Sequence, residues 1–288
     1  MSATTATTAT AMSSGVGLGF GRLVRSEWIK FRSIRSTWWC YAIIVALTIG
    51  LGAMIGAAAP VMGLPEGAEV TQEIANRQIV LLSTSSVGFT VLVAAVLGVL
   101  IITGEYGTGQ VRSTFTADPG RTGAILAKAV VLAVATFVVS AVATWIGALL
   151  VSVLQADKGV TADLLDPAIA MPILGSSVYV TGIALLAFGI GLLVRSSAGG
   201  IAIALGVLLV LPIVLQLVAG LVDQQWLLDV SRFLPDQAGS QLYTYERSAD
   251  QPAPEGVVLN GWSGGGILAA WVVAVGVVAL ATVKKRDV

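Results

Sequence analysis

The residues best suited to chemistry stand in one short polar island between two long apolar runs: Gly104-Glu105-Tyr106-Gly107-Thr108-Gly109-Gln110-Val111-Arg112-Ser113-Thr114-Phe115. A carboxylate, a phenol, a guanidinium and several hydroxyls on a glycine-broken segment suit ion pairing with a partner surface. They do not suit bond cleavage. The chain has no histidine, which removes a Ser–His dyad and a His-ligated metal site. None of its lysines follows a glycine, so the phosphate loop Gly-x-x-x-x-Gly-Lys-Ser/Thr is absent. An enzyme acting on lipid would need clustered carboxylates or a nucleophile–base pair. Only Glu105 and Asp118 lie near the island.

The elements that must carry this island are membrane spans. The sequence is 56% apolar and 11% charged, under half the charge of a soluble domain, which runs near 25%. Six stretches without Asp, Glu, Lys or Arg are long enough to cross a bilayer as helices: about 37–59, 79–103, 129–154, 169–194, 198–222 and 264–283. Barrel strands would alternate in polarity over about 10 residues, and these runs do not. The fold class expected is all-α: a six-helix membrane domain over 37–283, preceded by an amphipathic helix at 20–36. A disordered Thr/Ala/Ser tail is expected at 1–19 and a short cytoplasmic tail at 284–288. The first residues lack the basic start and apolar core of a signal peptide. Cys40 stands alone, so it forms no internal disulfide.

Charge sets the orientation. With the N-terminus inside, twelve of the sixteen basic residues fall on the cytoplasmic side and twelve of the sixteen acidic ones outside. The positive-inside rule therefore predicts both termini in the cytoplasm.

Within 20–36, Val24, Trp28, Phe31, Ile34 and Trp38 recur at three- and four-residue spacing, with Arg22, Arg25 and Arg32 on another side. That pattern predicts an interfacial helix. Arg25, Glu27, Trp28, Lys30 and Phe31 are its candidate functional residues. It either anchors the first span and sets topology or also couples to a partner, and the two roles are compatible. Past the second span, Gly104, Gly107 and Gly109 weaken helix continuation. A short helix is expected over Gln110–Thr116. Asp118-Pro119 then reads as the cap and first turn of a helix running through Arg121 and Lys128 into the third span.

Elsewhere the spans hold scattered hydroxyls and one amide, Gln216. Most such groups serve interhelical hydrogen bonds. The denser set Ser83, Ser85, Ser86 and Thr90 is the candidate wall of a polar pathway. Pro212 predicts a kink in the fifth span. The apolar stretch 226–235 in the last outer loop is expected to form one or two short helices dipping into the outer leaflet.

The run Glu105 to Thr114, followed by Pro119-Gly120-Arg121 and Lys128, resembles the signature of ATP-binding-cassette type-2 exporter permeases. Ser26-Glu27-Trp28-Ile29-Lys30-Phe31-Arg32-Ser33 is similar to the opening segment of that family. Gln110 departs from it, standing where a second threonine is common. The resemblance implies a transport subunit without catalysis of its own. It implies a second permease copy or paralogue, forming a homodimer or heterodimer, and two separate ATPase subunits that bind ATP and magnesium. It further implies that Glu105, Tyr106, Gly107, Gly109, Arg112, Thr114 and Arg121 couple to the ATPase. The competing reading is a non-transporting sensor or assembly factor that shares the fold.

Overall fold

The computed structural model describes residues 19–61, 70–111, 116, 121–222, 224–246 and 256–285. Arg112, Thr114, the pair Asp118-Pro119 and most of the two expected tails lie outside these residues. So does most of the short helix expected over Gln110–Thr116.

Every regular element among the described residues is helical. Helix α1 is Phe20–Ser33 and α2 is Arg35–Ala58. Then come α3 (Gln72–Thr84), α4 (Val87–Gly107), α5 (Thr122–Ala156) and α6 (Pro167–Val194). The next helix begins as α7 (Ser197–Leu205), passes through a π-helical turn at Gly206–Val210 and continues as α8 (Leu211–Val222). Two short helices follow, α9 (Gln225–Arg232) and α10 (Pro235–Ser240), before α11 (Gly261–Lys285). Among the described residues, six helical units are long and apolar enough to cross a membrane: α2, α3 with α4, α5, α6, α7 with α8, and α11.

The second unit bends at Ser85-Ser86, between α3 and α4. Hydroxyls there bond the preceding turn's carbonyls: Thr84 Oγ1 donates to Val80 O and Ser85 Oγ to Leu82 O. Such back-bonding competes with the backbone ladder and bends helices. The kink expected at Pro212 takes the form of the π turn just before it. A proline cannot donate to the carbonyl four residues back, and the wider turn absorbs the misfit.

The core lies along α4 and α6, the most enclosed of the six units. Gly98 explains how close they come. A Cβ at Gly98 would sit 2.1 Å from the Ala184 carbonyl oxygen, so only glycine allows this approach. The fifth and sixth units leave most of their apolar surface uncovered by the chain. In lipid this costs nothing, because acyl chains cover it.

The two ends of the bundle are built differently. At the end where α2 finishes, Gln155 is fully buried. Its Nε2 donates to Gly56 O at 2.7 Å, while its Oε1 accepts from Gln78 Nε2 at 3.0 Å. Lys158 Nζ donates to Ala57 O at 2.8 Å and Ala59 O at 2.6 Å. The carbonyls orphaned at the end of α2 are thus satisfied by an amide and an ammonium. The short helices α9 and α10 sit at the same end, packed on α8, α6 and α11. Trp271 Nε1 of α11 donates to Phe233 O, and Tyr179 of α6 donates its hydroxyl to Asp236 at 2.5 Å. The stretch 226–235 therefore forms α9 and leads into α10, and the two fold back against the bundle.

Candidate coupling site: a buried charge cluster

At the opposite end, α1 lies against α5 and presents an acid to it. Glu27 is the most buried side chain of α1, at 4% exposure. The sequence pattern assigned the helix a stripe of Val24, Trp28, Phe31, Ile34 and Trp38. The structure splits that stripe. Phe31 turns inward, whereas Trp28, Ile34 and Trp38 are exposed. The packed face is centred on Glu27 and Phe31, because the charges facing them across the bundle outweigh apolar periodicity.

Those charges are Lys128 and Glu105. Lys128 stands in the second turn of α5 and Glu105 in the last turn of α4. Lys128 Nζ donates to Glu27 Oε2 in a very short contact and to Glu105 Oε1 at 2.8 Å. Lys30 Nζ donates to Glu27 Oε1 at 2.7 Å and approaches Glu105 Oε1 at 3.6 Å. Two carboxylates and two ammoniums make a neutral set spanning three elements. An isolated charge at this depth would carry a desolvation penalty of several kcal/mol. The set is tolerated because each member has partners. Burial alone would lower the Lys30 ammonium, but the hydrogen bond and charge of Glu27, then the charge of Glu105, outweigh it and hold Lys30 above its ordinary range.

Local structure places each member. Helix α1 ends because Ile34 adopts an extended backbone, and α2 restarts at Arg35. Trp38 Nε1 caps the turn by donating to Arg32 O at 2.9 Å. An aromatic ladder then fixes α1 to α2. Trp28 stacks on Phe31 at 5.9 Å, Phe31 meets Tyr41 at 5.9 Å, and Tyr41 shares a hydrogen bond with Thr136 of α5.

Helix α4 runs on past the expected exit at Thr103. Gly104 and Gly107 are helical, and the break comes at Gly109, whose φ of +73° is the left-handed turn that terminates helices. This extra turn is what swings Glu105 inward onto Lys128. Tyr106 is half-buried beneath the guanidinium of Arg195, 5.2 Å from its ring centre. Gly107 and Gly109 are exposed. Helix α5 starts at Thr122, later than the Asp118 cap that the sequence suggested. Arg121 precedes it with a left-handed φ of 58° and donates to Val283 O of α11 at 3.0 Å. Arg121 is therefore a strut to the last span.

Of the sequence candidates, Glu27, Lys30 and Glu105 converge on one cluster; Phe31 packs behind it. Arg25 and Trp28 face away. Ser83, Ser86 and Thr90 are buried inside the chain and Ser85 is half-buried. Thr90 bonds the hydroxyl of Thr48 at 3.2 Å. The bend between α3 and α4 turns these hydroxyls toward other helices of the chain. Sequence reasoning named Lys128 in the family signature but gave the centre of the site no role, and it missed the stacking partner Arg195. The available signal for Lys128 was a lysine at the mouth of an uncharged span, which demands acids within reach.

No curated protein matches the chain. Residues 22–288 match a family model described as ABC-2 family transporter protein. With that match covering nearly the whole chain and six span-length helices beneath it, the protein belongs to the ABC-2 transporter family and is a membrane permease component of an ABC transporter.

Proposed function

We propose that this chain is the permease of an ATP-driven exporter, moved by a separate ATPase subunit that docks at the end carrying the charge cluster. In this reading both termini are cytoplasmic, the protein sits in the cell membrane, and it works with a second permease copy or paralogue. It performs no catalysis itself, and ATP and magnesium reside on the partner.

The carrying observation is the cluster of Glu27, Lys30, Glu105 and Lys128. It ties the end of α4, where the polar island begins, to α1 and to the start of α5. A push on the exposed turn Gly107–Gln110 is thereby delivered to two spans and the entry helix together. Rigidly packed elements with discrete arrangements transmit such displacements. Arg195 on Tyr106 and Arg121 on Val283 extend the linkage to the α6–α7 turn and to α11.

The test is reconstitution with the ATPase that co-purifies. Glu105→Gln removes one charge from the cluster, and Arg112→Ala removes the island's cation. Each variant is expected to insert normally and support ATP hydrolysis, while transport per ATP falls at least tenfold. Full transport in both would refute the coupling role. Labelling a Gly107→Cys, Cys40→Ser variant in intact cells checks the side; reaction with an impermeant thiol reagent from outside would reverse the orientation.

A further inference from the structure

Arg25, Trp28, Ile29 and Arg32 stand at positions i, i+3, i+4 and i+7 of α1, which places them on one helix face. All four are exposed. Arg35 follows directly at the start of α2, also exposed, with Trp38 and Trp39 one turn further on. The guanidinium groups of Arg25, Arg32 and Arg35 make no ion pair among the described residues. The reason is visible in the site beside them. The carboxylates described at this end are Glu27 and Glu105, and both are consumed by Lys30 and Lys128. The cluster neutralises itself and, among the described residues, leaves these three arginines without an acidic partner.

The tryptophans set their depth. Trp39 is 70% exposed, Trp38 60% and Trp28 41%. Tryptophan collects at the membrane–water boundary, with its ring at headgroup level. Arginines on the same turns reach that level by extending their chains along apolar surface. We infer that Arg25, Arg32 and Arg35 form a binding face for the phosphate groups of anionic phospholipids, read against zwitterionic ones by charge. The inference requires α1 to lie on the membrane surface and is independent of the transport reading. An acidic protein surface would meet the same charges; the tryptophans beside them favour lipid.

The full chain in detergent, given equal mole fractions of phosphatidylglycerol and phosphatidylcholine and read by native mass spectrometry, tests this. Wild-type protein is expected to retain phosphatidylglycerol preferentially. A basic residue near an anionic surface is worth about 1 kcal/mol, roughly fivefold. The triple variant Arg25→Gln, Arg32→Gln, Arg35→Gln should therefore lose preference on the order of 100-fold. The corresponding triple Lys variant should keep most of it. All three positions are exposed, so thermal unfolding in detergent should be unchanged, which separates lost binding from lost fold. Equal retention of the two lipids by wild type, or undiminished preference in the Gln variant, would overturn the inference. Unchanged lipid preference with loss of a co-purifying ATPase would reassign the face to protein docking. Because the lipid readout uses the permease alone, it stands or falls separately from coupling.

Discussion

The two ends of the bundle bury polar groups by opposite means. At the α1 end, four full charges neutralise one another across α1, α4 and α5. At the other end, neutral amides and a lysine satisfy backbone carbonyls, and a tyrosine holds a carboxylate. The difference is one of cooperativity. Neutral hydrogen bonds contribute about 1 kcal/mol each where water can replace the lost partner, as at the rim around Lys158. A buried ion set behaves as a unit, because removing any member leaves an uncompensated charge. A graded end suits an anchor. An all-or-none end suits an element that must sit in one of two arrangements.

Lys128→Met should therefore have the largest effect. It leaves two buried carboxylates sharing Lys30 and should destabilise the protein by about 3–5 kcal/mol, measured by denaturant titration in detergent micelles. The charge-balanced double variant Glu27→Leu, Lys128→Met sharpens the point. It keeps Lys30 with Glu105, which lie 3.6 Å apart in the unmutated chain, and should recover most of the stability. Transport should not recover, since α1 is then joined to α5 by apolar contact alone. Recovery of both would mean that the ions serve stability and nothing else.

How much of this was legible beforehand differs between the two ends as well. The six spans were readable because twenty uncharged apolar residues in a row admit few alternatives. Glu105 and Glu27 stood out as acids among basic neighbours. Their meeting did not, because the sequence suggested a helix end at Thr103, and an α4 ending there would not carry Glu105 to Lys128. Three glycines looked equivalent as breakers. Only Gly109 takes the left-handed turn, whereas Gly104 and Gly107 stay in the helix. Glycine lowers helix propensity by about 1 kcal/mol, which an ion contact at Glu105 readily offsets. At the far end, the partnership of Gln155 with the end of α2 joins residues almost a hundred positions apart, beyond any local pattern. The short helices that begin within 226–235 were readable in outline from the apolar side chains of that stretch. Their fastening to α6 through Asp236 was not.

That fastening supplies the intermediate test. Tyr179 is buried and gives its hydroxyl to the Asp236 carboxylate. Hydrogen bonds to charged groups are worth about 1.5–3 kcal/mol, so Tyr179→Phe should loosen α9 and α10 without unfolding the spans. In a Cys40→Ser background, Gln237→Cys should be labelled several-fold faster when Tyr179 is Phe. Equal rates would show that packing around Gly175, where a Cβ would meet Leu242 O at 1.9 Å, holds the hairpin without the bond.

The smallest effect belongs to Lys158. Its ammonium covers the carbonyls of Ala57 and Ala59 at the end of α2, where the helix dipole is negative. Exposed charges in this position are worth about 0.3–1 kcal/mol, and water can replace the ammonium at this half-buried rim. Lys158→Met should thus cost less than about 1 kcal/mol in the denaturant titration that reads Lys128→Met, and Lys158→Arg should cost nothing measurable. The same amino acid changed in the same way at the two ends then gives the contrast directly. A loss at Lys158 as large as that at Lys128 would mean that the capping end is also cooperative, and that burial of charge does not distinguish the ends.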